Sequence, residues 1–119
     1  MINEEQAFDE IINHPSYKEE YCMWDEHFIN MTFTMDSDYD EDGKYNDVWS
    51  YRQIEVLLNL DGIAEVSFIV KDGLFVEGEG FESDNTQVDY NHEELDEFLK
   101  TPAGEKLRNH VKHVLVRNI

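Results

Sequence analysis

Between Phe28 and Val70 apolar residues recur at every second position in three runs, separated by an acidic loop, Asp36 to Asp47, and by an Asp61-Gly62 pair. That period gives an extended chain one apolar and one polar face. Asp-Gly between two such runs is a strong antiparallel hairpin signal. The first run sends Ile29, Met31, Phe33 and Met35 one way and Asn30, Thr32 and Thr34 the other. A second, over about 48–60, aligns Ile54, Val56, Leu58 and Leu60, and a third, over 63–70, aligns Ala64, Val66, Phe68 and Val70. Lys71-Asp72-Gly73 reads as another turn, Leu74 to about Phe81 as a fourth strand, and Glu82 to Tyr90 as a polar connection.

On either side the period is helical. Asn3 is placed to cap a helix ending near Asn13, with Gln6 at the capping-box position and Ala7, Phe8, Ile11 and Ile12 as its apolar stripe. Pro15 breaks the pattern, and the spacing of Tyr17, Tyr21 and Trp24 predicts a second helix from Ser16 to about Asp25. Asn91, with Glu94 three residues on, predicts a capped helix burying Leu95, Phe98 and Leu99. Pro102 suits a first helical position. It opens a last helix to about Arg117, with Leu107, Val111, Val114 and Leu115 facing the core. The expectation is one α+β domain over residues 1–119: a four-stranded antiparallel meander flanked by N-terminal and C-terminal helices. The helices cover one sheet face, leaving the other to solvent or a partner.

Charge sets the functional limits. The chain has 28 Asp and Glu against nine Lys and Arg, a net −19, yet 13% of it is aromatic, enough for a core that acidic disordered chains lack. Residues 1–99 hold 27 acids and four basic residues, and residues 100–119 hold Glu105 against Lys100, Lys106, Arg108, Lys112 and Arg117. Such a field repels nucleic acid and anionic membranes. No apolar run approaches the ~18 residues of a membrane span. Met1-Ile2-Asn3-Glu4-Glu5 lacks a signal peptide's basic and apolar regions, which predicts a cytoplasmic protein. Cys22 is the single cysteine, so no internal disulfide forms.

Catalytic and metal chemistry find little support. Asp38-Tyr39-Asp40-Glu41-Asp42-Gly43 matches the start of a calcium loop, but the twelfth position is Trp49, where a bidentate Glu belongs. His110 and His113 are three apart on the last helix with Lys112 between them, and read as surface or helix-end residues. Cys22 lies among Glu19, Glu20 and Asp25, which oppose a thiolate. Gly78-Glu79-Gly80 carries the wrong charge for a phosphate loop. No enzyme activity, cofactor or tight metal site is expected.

The acids cluster in three segments: Asp36, Asp38, Asp40, Glu41, Asp42 and Asp47; Glu77, Glu79, Glu82, Asp84 and Asp89; and Glu93, Glu94, Asp96 and Glu97. A compact domain of this length spans roughly 35 Å. Duplex DNA of that length carries about 20 phosphate charges, the same order as −19. These residues are the expected partner-binding surface. In size, charge and the segments DSDYDEDGKYND and EGEGFESDNTQVDYNHEELDE, the chain resembles the small acidic DNA-mimic proteins of bacteria, above all the monomeric type that binds the histone-like protein HU. The resemblance implies a monomer that occupies the DNA-binding face of a basic nucleic-acid-binding protein and competes with DNA. The alternative is an immunity protein, an inhibitor neutralising a toxin nuclease.

Overall fold

A computed structural model describes the backbone of residues 2–37, 48–76 and 80–118. The helix α1 (Glu4–Asn13) is followed by five strands, β1 (Lys18–Met23), β2 (Ile29–Asp36), β3 (Val48–Asn59), β4 (Gly62–Val76) and β5 (Gly80–Asn91). Two helices, α2 (His92–Leu99) and α3 (Pro102–Asn118), complete the chain. The strands form one antiparallel sheet in the order β1-β2-β3-β4-β5. The class is α+β, with a five-stranded meander in place of four strands, and one helix before the sheet in place of two.

The apolar stripes pack as their periods require. Met31, Phe33, Met35, Ile54, Val56, Leu58, Val66 and Phe68 are buried on one sheet face. Against them lie Ala7, Phe8 and Ile11 of α1, Leu95 and Phe98 of α2, and Leu107, Val111 and Val114 of α3. Asn3 caps α1, its side chain accepting from the Gln6 N–H at 2.9 Å. Asn91 stands at the N-cap of α2, but its side chain makes no capping bond. Gly104 fixes the α2–α3 corner, because a Cβ there would lie 2.2 Å from the Phe98 carbonyl oxygen.

Four strand-level expectations change. Residues 18–23 form β1, not a helix: Glu19, Tyr21 and Met23 also alternate, and β1 pairs with β2 over six residues, Lys18 to Met23 opposite Thr34 to Ile29. Cross-strand hydrogen bonding satisfies the β2 edge, which a helix there would leave open. Tyr21 and Trp24, two of the three residues of the expected helical stripe, are exposed. Second, Lys71-Asp72-Gly73 runs straight through β4, since each residue finds support from β3. The Lys71 ammonium sits 5.5 Å from the Tyr51 ring, Asp72 takes hydrogen bonds from Ser50 and Arg52, and Gly73 faces Trp49. Third, the expected polar connection Glu82–Tyr90 belongs to β5, whose partners run from Glu65–Asn91 to Val76–Gly80. Fourth, the β3–β4 turn residues are Leu60 and Asp61, with Asn59 opposite Gly62, so Leu60 is exposed, not inward. Gly62 takes the positive φ of 126°, and the register shifts beside Leu58, where Ala64 is the extra residue.

Long strands lengthen the molecule. The 15 residues of β4 extend about 50 Å at ~3.3 Å per residue, in line with the 51 Å long axis. The radius of gyration, 15.8 Å, exceeds the ~13–14 Å of a compact domain this size.

Candidate partner-binding surface

The carboxylates of α1 are engaged by other elements of the fold. Arg52 on β3 donates through Nε to Glu10 at 3.0 Å and through a terminal nitrogen to Asp72 at 2.9 Å. The same terminal nitrogen reaches the backbone carbonyls of Tyr51 and Lys71. Lys106 on α3 lies 2.9 Å from Glu5 and 3.2 Å from Asp9, and its hydrogen bonds to both hold its pKa above the ordinary value. Glu4 accepts a 2.5 Å hydrogen bond from the Tyr90 hydroxyl. Burial, and then Glu4, push that phenol's pKa up.

The carboxylates of α2 are arranged differently. Glu93, Glu94, Asp96 and Glu97 are all exposed. Lys100 lies 3.6 Å from Glu97, but both side chains are more than 70% exposed, and such pairs contribute little. Among the described residues no cation pairs with Glu93, Glu94 or Asp96. The helix dipole favours acid in the first turn, which accounts for Glu93 and Glu94. It does not favour Asp96 and Glu97 in the C-terminal half.

Between the start of α1, the inner side of α2 and the start of α3 lies a groove of about 790 Å³. Ile2, Phe98, Ala103 and Pro102 supply apolar surface, and Glu4, Glu5, Glu94 and Glu97 supply carboxylates. The Tyr90 ring stacks on Phe98 at 4.4 Å and 11°.

The other expected site residues disperse. Asp36 ends β2, its backbone N–H donating to the Ser16 hydroxyl. Asp84 faces Asp72 across β4–β5 on the helix side. Asp89 is on the opposite face, where hydrogen bonds from Ser67 and Gln87 lower its pKa. Glu82 lies within β5. Asp38, Asp40, Glu41, Asp42, Asp47, Glu77 and Glu79 fall outside the described residues, as does most of the calcium-like loop. Of the expected residues, Glu94 and Glu97 share the groove. Glu4 and Glu5 join them there, although in the sequence they read only as favourable first-turn acids.

His110 is not a surface residue. Its ring is half-buried, edge-on to Phe8, Tyr17 and Phe33. The Tyr17 hydroxyl lies 2.8 Å from both Glu19 Oε2 and His110 Nε2. An ionised Glu19 can only accept, so Tyr17 donates to it and His110 Nε2–H donates to Tyr17. Arg117 pairs with the same Glu19. Burial opposes the ionisation of Glu19, but hydrogen bonds from Tyr17 and Arg117 outweigh it and lower its pKa. Part of the basic charge on α3 is thus tied to α1 and β1.

The β1–β2 turn presents exposed apolar groups. Met23 and Trp24 are 58% and 63% exposed. Asp25 braces this turn by accepting from the His27 and Phe28 N–H groups. Among the described residues no group of three or more His, Cys, Asp and Glu could hold a metal ion, and no helix is long and apolar enough to cross a membrane.

No protein-family model, curated protein or solved structure matches this chain.

Proposed function

We propose that this protein is a DNA mimic: it binds a basic DNA-binding protein, HU-like by preference, and competes with DNA for it. The observation that carries this reading is the set of four exposed carboxylates on the two turns of α2, opposed by one exposed lysine. The helix holds i, i+3 and i, i+4 neighbours with Cβ atoms about 5–6 Å apart, a spacing comparable with successive phosphates. Along the 51 Å long axis duplex DNA carries about 30 charges at one per ~1.7 Å, more than the −19 of the chain. The mimicry is therefore local to acidic segments, not spread along the molecule.

The test is a gel-shift competition in which HU holds labelled duplex while this protein is titrated at fixed ionic strength. DNA is expected to be released, and release to weaken steeply as salt shortens the Debye length from ~10 Å at 0.1 M to ~3 Å at 1 M. DNA that stays bound at large excess removes HU as the partner. Failure to recover any basic protein from a low-salt lysate removes the mimic reading itself.

A further inference from the structure

We infer that the groove bounded by α1, α2 and α3 is an anchor pocket for an arginine side chain of a protein partner. The inference rests on the reading above that the partner is basic, and adds where one of its side chains lodges. The groove offers two surfaces that arginine requires together. Phe98, Ala103 and Ile2, each at most 7% exposed, form an apolar floor on which a methylene stem can lie. Tyr90, stacked on Phe98, lines the groove beside this floor and adds aromatic surface to it. Around this floor stand Glu4, Glu94 and Glu97, with Glu5 held by Lys106 at one side. Glu4 accepts from the Tyr90 hydroxyl at 2.5 Å, and Glu94 lines the same groove.

Helix dipoles account for part of this acid without any ligand. Glu4 and Glu5 lie in the first turn of α1, and Glu94 in the first turn of α2. They do not account for Glu97 near the C-terminal end of α2, where a carboxylate is disfavoured. The exposed Lys100, 3.6 Å from Glu97, offsets little of this, and an incoming cation relieves it further. The volume, about 790 Å³, falls within the ~300–1,000 Å³ of formed ligand sites. It has room for the arginine with part of its flanking backbone. Arginine is favoured over lysine because its forked donors can engage two carboxylates at once.

The test uses the full chain and a blocked Arg-Gly-Arg peptide, with Lys-Gly-Lys and spermidine as comparators, followed by NMR titration. Arg-Gly-Arg should shift the amides of Ile2, Asn3, Glu94, Glu97, Thr101 and Ala103 and bind more tightly than either comparator. Glu94→Gln with Glu97→Gln should weaken it about tenfold or more. Glu93→Gln with Asp96→Asn removes the same charge from the same helix outside the groove, and should weaken it only about twofold to threefold. All four positions are exposed, so circular dichroism should show both variants folded. Equal losses in the two variants, or shifts spread over every acidic segment, overturn the pocket while leaving the DNA-mimic reading intact. Spermidine binding as tightly as Arg-Gly-Arg also overturns the arginine assignment. A groove that takes Arg-Gly-Arg in a protein that retains no DNA-binding protein upholds the pocket and removes the mimic reading.

Discussion

The helices α1 and α2 are both short, amphipathic and acid-rich, yet their carboxylates do different work. In α1, Glu10 meets Arg52, Glu5 and Asp9 meet Lys106, and Glu4 meets Tyr90. In α2 the one ion pair among described residues is Glu97 with an exposed Lys100. The acids of α1 join helix to sheet and helix to helix. Those of α2 leave their field in solvent. Net charge does not distinguish these roles, because it counts a carboxylate under a guanidinium and one in water alike. Only the second kind is available to a partner.

Arg52→Leu gives the largest expected change. The Arg52 side chain is 13% exposed and its guanidinium holds two carboxylates. Its loss should destabilise the fold by about 1–3 kcal/mol, less than the removal of one partner from a fully buried pair, because Glu10 and Asp72 remain partly hydrated. Urea unfolding followed by tryptophan fluorescence measures it. A change no larger than that of an ordinary surface substitution would place the α1 acids in the same class as those of α2.

Lys106→Gln sharpens the comparison. It should lower the urea midpoint by less than Arg52→Leu, since its partners are nearly half exposed. It should also strengthen low-salt binding to a basic partner by freeing Glu5 and Asp9. Lys100→Gln is the control and should leave the midpoint unchanged. Equal midpoint shifts for the two lysines would contradict the assignment of Lys106 as a structural cation.

The smallest expected effect is in pH. Burial holds the His110 imidazole below its ordinary pKa of 6.5, with Glu19 acting in the opposite sense. The unfolded chain therefore takes up a proton that the folded protein resists. This contribution to stability is complete above about pH 6.5 and is lost as the pH falls toward the folded pKa. Glu19, whose pKa is also lowered, adds a loss in the same direction below its ordinary value of 4.5. His110→Phe keeps an aromatic ring against Phe8 and Phe33 and removes the titration. Between pH 7.5 and 5.5 the wild-type melting temperature should fall relative to that of the variant. Parallel curves would show that His110 titrates as it does in water.

Much of the fold is legible where neighbouring residues decide it. The alternation from Ile29 to Met35, the stripe Ala7-Phe8-Ile11 and the run Leu107-Val111-Val114 each specify an element whose apolar face must be covered, and each is buried as expected. The segment around Tyr21 is not legible in this way. Tyr17, Tyr21 and Trp24 match a helical period while Tyr17, Glu19, Tyr21 and Met23 match an extended one. Lys71-Asp72-Gly73 likewise has turn chemistry that cross-strand contacts with Tyr51, Arg52 and Trp49 override.

By itself the sequence determined that this is a folded acidic α+β chain, because hydrophobic period and charge are properties of residues close together along it. Only the tertiary structure decided that residues 18–23 are a strand, since pairing with β2 supplies their hydrogen bonds. It alone decided that Arg52 pairs with Glu10 of α1 from 42 residues away and Lys106 with Asp9 from 97, while the acids of α2 stay exposed. It alone brought Glu4 beside Tyr90 across 86 residues. Coulomb and hydrogen-bond energies depend on distance in space, and at such separations distance along the chain carries no information about it.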